Sequence, residues 1–351
     1  MARIAILTPY SNPTVGGISS FVAGLERTLR ARGHEVAVLS GHGDGDRESH
    51  SNLGGGFEYR DRASAFLSAI SPDVVHCNGH QAVLAAGVHY RRAHPGTRLI
   101  FSFHTTPRIR VGVLLRGLLG STDVITFVSA SQMEELRAKL RLKGDLRLLR
   151  PAVEIRSIDR NAAIDWTRER GIREAFPTLS FIGPLEYPKK VRGVIDLVAS
   201  LSIVRMKFPS AQLLVVGDGS LRQKVAGAAT VRGVPVTITG FVDRPDFILA
   251  ATDLYCHISY QEGLPLALLE AMAAGCAVIA SKAGGIPEVL DGTNGLLVEP
   301  GPTAIAEAIL RLAADSAARE KMGRAAVETI RSSFSWESRL PELYAAYGIG
   351  G

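Results

Sequence analysis

The chain has 351 residues, 46% of them hydrophobic and 21% charged, with mean hydropathy +0.14; this excludes a disordered chain and leads to an expectation of two domains. Three scattered cysteines, Cys77, Cys256 and Cys276, with no C-x-x-C pair, exclude a disulfide framework and a thiolate zinc site and point to a reducing cytoplasm. The 40 Lys+Arg against 34 Asp+Glu favour anionic partners, but the excess of six is spread along the chain, so nucleic-acid binding has little support.

The start, MARIAILTPY, reads as a first buried strand rather than a signal peptide, and no run of about 20 apolar residues is available to span a membrane. Short apolar runs at 4–7, 36–39, 74–75, 99–103 and 124–128 read as strands, with helix-period stretches at 18–32 and 132–142 between them. The glycine-rich segment 41–56 reads as a loop, and the polar, Arg-rich segment 153–176 as a linker carrying a surface helix. From 179 the pattern restarts, with strands at 179–182, 213–216, 236–238, 254–257 and 278–280. Helices are predicted at 194–206, 221–231, 266–274 and 303–314, and a last one at 336–347 that either domain has room to hold. Alternating strands and helices predict an α/β chain of two doubly wound parallel sheets, with domains 1–158 and 159–334.

In such sheets ligands sit at the carboxyl ends of strands, where the strand order reverses. Three strand-to-helix junctions there carry glycine: Gly16-Gly17, Gly217-Asp218-Gly219 and Gly284-Gly285. Glycine lets backbone N–H groups approach a phosphate, although a tight turn is the commoner reason for any single one. His104 lies just past a strand, where a histidine is more often structural than catalytic; His76 and His80 are weaker candidates, and His76 reads as structural.

The run QEGLPLALLEAMAAG, from Gln261 to Gly275, raises a sharper question. Past Leu264 every residue is apolar, small or proline except Glu270. An unpaired carboxylate in an apolar interior costs several kcal/mol, so Glu270 faces either solvent or a ligand that gives it hydrogen bonds. Pro265 suits a first helical turn, which leaves Glu262 in the loop ahead of the helix. The neighbours of Glu270 at three and four residues, Leu266, Ala267, Ala273 and Ala274, are mostly small and none is polar, which suits close approach of a ligand.

The pair Glu262 and Glu270, with Gly263 to Leu269 between them, resembles the E-x7-E signature of the family 4 retaining glycosyltransferases of GT-B fold. The resemblance continues through Ala271-Met272-Ala273-Ala274-Gly275, Gly284-Gly285-Ile286-Pro287-Glu288-Val289, Asp291-Gly292 and Asn294 to Val298. Upstream it includes Val216-Gly217-Asp218-Gly219, Gly240-Phe241-Val242, Gly16-Gly17, Gly33-His34-Glu35-Val36 and Asp73-Val74-Val75-His76, so it covers nearly the whole chain.

The resemblance implies two Rossmann-like domains facing across a cleft, the first for an acceptor and the second for a nucleotide sugar; two sheets joined near 153–165 imply a hinge there, and the helix at about 335–351 has the option of packing back on the first. It implies a metal-independent hexosyl transfer from a UDP- or GDP-sugar with retention, and no separate cofactor. Glu270 becomes the ribose ligand, Glu262 orients the donor sugar and stabilises transition-state charge, and His104 faces that sugar. The N–H groups of Leu264 and Leu266 beside Gly263 cradle the diphosphate, and Gly16, Gly17, Gly183, Gly217 and Val242 fall at other donor-contacting positions.

The match breaks where the family has Gly-Arg-Leu followed by Lys-Gly, an Arg–Lys clamp on the diphosphate. Here Gly183-Pro184-Leu185 runs on to Lys189-Lys190-Val191-Arg192-Gly193, so Pro184 replaces the arginine. Counting back from the helix puts Arg192 at the lysine position, counting forward favours Lys189 or Lys190, and the expected replacement is Arg192 with Lys190 as partner. Arg150-Pro151-Ala152-Val153-Glu154 also departs from the family's Pro-Asn-Gly-Val-Asp, and Gly16-Gly17-Ile18-Ser19 lacks the residue often following Gly-Gly-x. A noncatalytic nucleotide-sugar-binding protein or another GT-B chemistry, such as a nucleotide-sugar epimerase, are the alternatives. The acceptor, whether saccharide, natural product or lipid-linked, is not legible; Arg108, Arg110 and Arg116 within 107–120 allow peripheral membrane contact, with a core helix the preferred role.

Overall fold

A computed structural model describes residues 1–9, 16–41, 56–105 and 113–350. The chain divides into two compact units, Met1–Ala152 with Trp336–Gly351, and Val153–Ser335. Relative to the sequence boundary at 158, residues 153–158 go with the second unit. There the Val153 N–H donates to Phe334 O at 2.9 Å, and Val153 forms a bridge with Ser335.

The first unit alternates β1 (Arg3–Thr8), α1 (Gly17–Ala31), β2 (Glu35–Ser40), α2 (Gly56–Ile70), β3 (Val74–Asn78), α3 (Gln81–Ala93) and β4 (Arg98–Phe103). It continues with α4 (Val113–Leu119), β5 (Val124–Phe127), α5 (Ala130–Leu140) and β6 (Asp145–Leu148). The sheet is parallel, in the order β2-β1-β3-β4-β5-β6. Central strands such as β1 and β3 are buried along nearly their whole length, which is why they read as continuous apolar runs. Ser129 caps α5 by accepting from the Gln132 N–H. Of the predicted 107–120 helix, 107–112 lie outside the described residues, as does most of the 41–56 loop; α4 places Leu115 and Leu119 in the core and leaves Leu114 exposed.

The second unit runs α6 (Arg160–Glu169), β7 (Thr178–Ile182), α7 (Pro188–Val204), β8 (Gln212–Val216), α8 (Arg222–Arg232), β9 (Val236–Gly240), α9 (Pro245–Ala250) and β10 (Leu254–His257). Then follow α10 (Leu266–Ala273), β11 (Ala277–Ser281), a 3-10 turn at Ile286–Glu288, β12 (Leu296–Val298), α11 (Pro302–Ala313) and α12 (Ser316–Ser333). Its parallel sheet has the order β12-β11-β10-β7-β8-β9. The stretch read as a linker is therefore partly α6, capped by Asp159 and burying Ala163 and Thr167.

The helix predicted from 194 begins six residues earlier, at Pro188. Proline at the first helical position lacks an N–H that would have had no intrahelical acceptor, and its fixed φ suits the helix. The Tyr187 carbonyl accepts from both Lys190 and Val191 N–H. Lys189, Lys190 and Arg192 accordingly sit within α7, not in a loop ahead of it.

The last helix, α13 (Trp336–Tyr347), belongs to the first unit. It is pinned by Arg98 Nε donating to Ala346 O at 2.8 Å, by a hydrogen bond between Tyr347 and His76 at 2.9 Å, and by His34 Nε2 donating to the Tyr344 hydroxyl at 3.2 Å, since His34 Nδ1 accepts from the Ala2 N–H. His76 is fully buried and also meets Ser102 Oγ at 2.6 Å, a structural tie between β3, β4 and α13.

Candidate active site

In the second unit the strand order reverses between β10 and β7, so the connections that follow these neighbours leave in opposite directions and open a crevice at their carboxyl ends. Each supplies one charged side chain. Lys190, in the first turn of α7, places Nζ 3.1 Å from Oε1 of Glu262, which lies between β10 and α10; the side chains are 13% and 9% exposed. The first turn of α7 contains no acidic residue, so the positive helix end and Lys190 add rather than cancel.

The same Glu262 Oε1 lies 3.1 Å from Nε2 of His257, and Nδ1 of His257 lies 3.0 Å from the Tyr255 hydroxyl. An ionised carboxylate only accepts, so Nε2 carries the hydrogen and Nδ1 accepts from Tyr255. Burial lowers the His257 pKa, with Glu262 opposing it, so the ring is neutral at pH 7. Burial alone would raise the Glu262 carboxyl, but Lys190 and His257 more than offset it and hold Glu262 below the usual carboxylate range. The result is a fixed anion whose Oε1 is held by two donors.

Around this pair, the loop after β11 comes close to the backbone. Gly284 has φ 53°, and a Cβ there would lie 2.0 Å from Glu262 O, so no side chain fits; the next residue, Gly285, donates its N–H to Gly263 O at 2.6 Å. Among the described residues the N–H groups of Leu264 and Leu266 have no protein acceptor, and both stand at the N-terminus of α10. They are open to an anion. The N–H groups of Gly183 and Gly217 are not: they donate to Val216 O and Gly240 O, each at 2.9 Å. These two glycines bring the β7 and β8 loops together and have no N–H left for a phosphate.

Glu270 sits in α10, half-buried, and among the described residues its carboxylate has no hydrogen-bond partner. Burial raises its pKa to about 7, with Arg156 opposing and Asp246 adding slightly. The lone carboxylate in the apolar run is therefore neither a solvent-facing residue nor a paired one. Val242 follows β9 and packs with Trp166 on the cluster of Leu214, Val216 and Ile248.

The structure does not bring Arg192 into this group. Its guanidinium stacks over the Tyr260 ring, 4.1 Å from the centroid, and Tyr260 donates its hydroxyl to Asp196 at 2.6 Å. Lys189 is exposed, and its carbonyl accepts from the Tyr260 N–H. Of the three expected cations only Lys190 meets Glu262.

In the first unit the order reverses between β1 and β3. Gly16 and Gly17 open α1 there, and His104, just past β4, is half-buried with Nε2 2.8 Å from Asn78 Oδ1 and its ring 5.0 Å from Phe21. Sequence reasoning missed Tyr255, His257 and Asn78. The available signal was a histidine closing a buried strand five residues before Glu262, with a tyrosine two residues ahead on the same strand face.

Two family matches agree with this arrangement: residues 15–156 match Glycosyltransferase Family 4 and residues 176–315 match Glycosyl transferases group 1. The N-acetyl-alpha-D-glucosaminyl L-malate synthase of Bacillus anthracis is 29% identical over 67% of this chain, which spans 61% of that relative. The phosphatidyl-myo-inositol mannosyltransferase of Mycobacterium tuberculosis is 26% identical over 98% of this chain and 96% of its own. Among solved structures, a sucrose-phosphate synthase from Thermosynechococcus elongatus superposes with TM-score 0.82 at 21% identity, over 99% of this chain and 98% of that one. Anabaena HepE in complex with UDP-glucose superposes with TM-score 0.79 at 16% identity, over 99% of this chain and all of that one (100%). Two six-stranded parallel sheets with helices on both faces are the two Rossmann-like domains of a GT-B fold. The chain belongs to the family 4 glycosyltransferases.

Proposed function

We propose that the protein is a retaining glycosyltransferase that moves a sugar from a nucleoside-diphosphate sugar, UDP- or GDP-linked, to a hydroxyl acceptor without a divalent metal. The observation that carries this reading is the Lys190–Glu262 pair at the strand-order reversal of the second unit, beside the open N–H groups of α10 and the unpartnered Glu270. A departing diphosphate needs positive charge where its negative charge grows. Lys190 and the N-terminus of α10 supply it, the role that Pro184 cannot fill and that a cation would otherwise take. Glu270 accepts hydrogen bonds from the ribose hydroxyls, which explains a carboxyl kept unpaired at a cost in stability.

Glu262, held by Lys190 and His257, keeps its charge beside the anomeric carbon as positive character develops there. In the transfer the anomeric C–O bond to the diphosphate breaks and its electron pair leaves with the phosphate oxygen. The acceptor oxygen bonds to the same face of the carbon and its proton passes to the leaving phosphate. His104 in the first unit meets a substrate hydroxyl. The UDP-glucose complex of the structurally similar HepE supports a nucleotide-sugar donor, and the lipid-headgroup mannosyltransferase among the relatives supports a hydroxyl acceptor on a saccharide or lipid-linked molecule. Among the described residues no helix is long and apolar enough to cross a membrane; a cytoplasmic or membrane-peripheral site of action accords with that.

A panel of UDP- and GDP-sugars, with EDTA present, tests this by binding, slow donor hydrolysis and transfer to added hydroxyl acceptors. Turnover of one donor with the anomeric configuration kept, read by NMR, is expected. An inverted product overturns retention, loss of turnover with EDTA overturns metal independence, and binding without turnover makes the protein a nucleotide-sugar binder.

A further inference from the structure

His104 and Asn78 close neighbouring strands at the carboxyl edge of the first sheet, and their 2.8 Å contact joins His104 Nε2 to the Asn78 side chain. Which amide atom faces the ring is decided by the other partners of Asn78. Its Nδ2 lies 3.4 Å from Leu7 O and 3.4 Å from His76 O, and carbonyl oxygens only accept. The amide nitrogen therefore points at those carbonyls and Oδ1 at His104, so His104 Nε2 must carry a hydrogen. A neutral imidazole holds one hydrogen, which leaves Nδ1 bare. Among the described residues Nδ1 has no partner.

We propose that Asn78 is a positioning residue that locks His104 as the Nε2–H tautomer and so presents Nδ1 as a hydrogen-bond acceptor to a substrate hydroxyl. The inference rests on the reading of His104 as a substrate-facing group. Three surroundings support it. Asn78 is fully buried, so its amide cannot turn over without stranding two carbonyls. Phe21 of α1 stands against the ring at 5.0 Å and limits its rotation. The titratable neighbour from β3, His76, is tied to Tyr347 and Ser102 and is itself kept neutral by burial, so no charge from that strand favours a cationic His104. Burial holds the His104 pKa at about 4, which keeps Nδ1 an acceptor through the neutral range. An imidazolium would be two donors and no acceptor.

The tautomer is read directly by nitrogen-resolved imidazole NMR on the full chain. A pyrrole-type Nε2 and a pyridine-type Nδ1 for His104, unchanged between about pH 6 and 8, are expected; the opposite tautomer, or a mixture, overturns the proposal whether or not the protein proves to turn over a donor. Asn78→Asp supplies a second arm. A carboxylate in place of the amide still accepts from Nε2 but raises the His104 pKa toward neutrality, so acid then removes the Nδ1 acceptor. With any donor that is turned over, kcat/KM of this variant should fall from pH 8 to 6 at least about tenfold more than that of the unsubstituted protein, whose own fall over that range follows Glu270. A loss that is the same at every pH marks Asn78 as a packing residue only and overturns the positioning role. If no donor is turned over, the proposed function fails, and the tautomer measurement still decides this inference.

Discussion

Lys190 and Glu262 hold each other at 3.1 Å from opposite sides of the strand-order reversal in the second sheet, one in the helix after β7 and the other in the loop after β10. A cation fixed on a carboxylate at that point has two consequences. It keeps the carboxylate ionised in a largely buried place, and in the proposed transfer it supplies positive charge to the leaving diphosphate.

Lys190→Ala should lower kcat/KM by about 2–4 kcal/mol, the size of one lost electrostatic contact in a transition state. It should also lower the melting temperature, because the Glu262 charge loses its partner. Arg192→Ala removes a guanidinium stacked on Tyr260 and should cost only a few tenths of a kcal/mol in activity. Steady-state kinetics on the two variants decide the matter; an Arg192 effect as large as that of Lys190 would return Arg192 to the diphosphate.

Glu270 should release a proton when nucleotide binds. Its free carboxyl titrates at about 7, and ribose hydroxyls favour the ionised form. Calorimetry near pH 6.5 in buffers of different ionisation enthalpy should show the release, and Glu270→Gln should abolish it. Glu270→Ala should weaken nucleotide binding by about 1.5–3 kcal/mol. Stability has the opposite sign: the folded state keeps a proton up to about 7 that the unfolded chain loses near 4.5, so the Glu270 contribution falls as pH rises through that window. Glu270→Gln should therefore melt higher than the unsubstituted protein above pH 7.

Glu262→Gln keeps the shape and removes the charge. It should lower kcat far more than it raises donor KM, since the charge is needed mainly in the transition state. His257→Leu strips one of the two donors from Glu262 and leaves Tyr255 without its acceptor, so it should lower kcat by less than Glu262→Gln does. Equal changes in KM and binding affinity, with kcat intact, would contradict both.

Acid should destabilise the protein from about pH 6.5 downward. His76, His104 and His257 all have pKa values lowered by burial, to about 3 for His76 and about 4 for His104. Between those values and 6.5 the unfolded chain binds protons that the folded one refuses, so stability drops as pH falls. Urea midpoints at pH 7, 5.5 and 4.5 measure the slope, and His76→Gln should make it shallower.

Gly193→Ala tests the seating of α7. A Cβ there would lie 2.2 Å from Ile258 O, in the loop that leads to Glu262, so the helix would have to move away from β10. A stability loss of about 1–3 kcal/mol is expected, with a larger loss of activity as Lys190 retreats from Glu262. Unchanged kinetics would show that the Lys190–Glu262 distance is not critical.

The sheets were legible because parallel strands buried on both faces leave unbroken apolar runs, and the Glu262–Glu270 spacing was legible because both residues lie on one continuous segment. What escaped reading was weakly patterned: β6 is half polar, β12 has three residues, and α12 carries alanine and glycine where a larger apolar stripe would announce a helix. The expected placement of the basic run failed for a related reason, since the residues ahead of 194 show no strong periodicity and Pro188 was not recognised as the helix start.

The sequence by itself determined two α/β sheets, the loop-and-helix placement of the two glutamates and a cluster of cations before 194. Only the tertiary structure decided which cation meets Glu262. Residues two apart on a helix point to nearly opposite faces, so once α7 starts at Pro188 either Lys190 or Arg192 faces the crevice, but not both. The packing of α7 on β10 selects Lys190 and sends Arg192 to Tyr260. The same kind of choice gives Glu262 its histidine and His104 its asparagine: strand neighbours are fixed by sheet order, which depends on long-range pairing that no local pattern encodes.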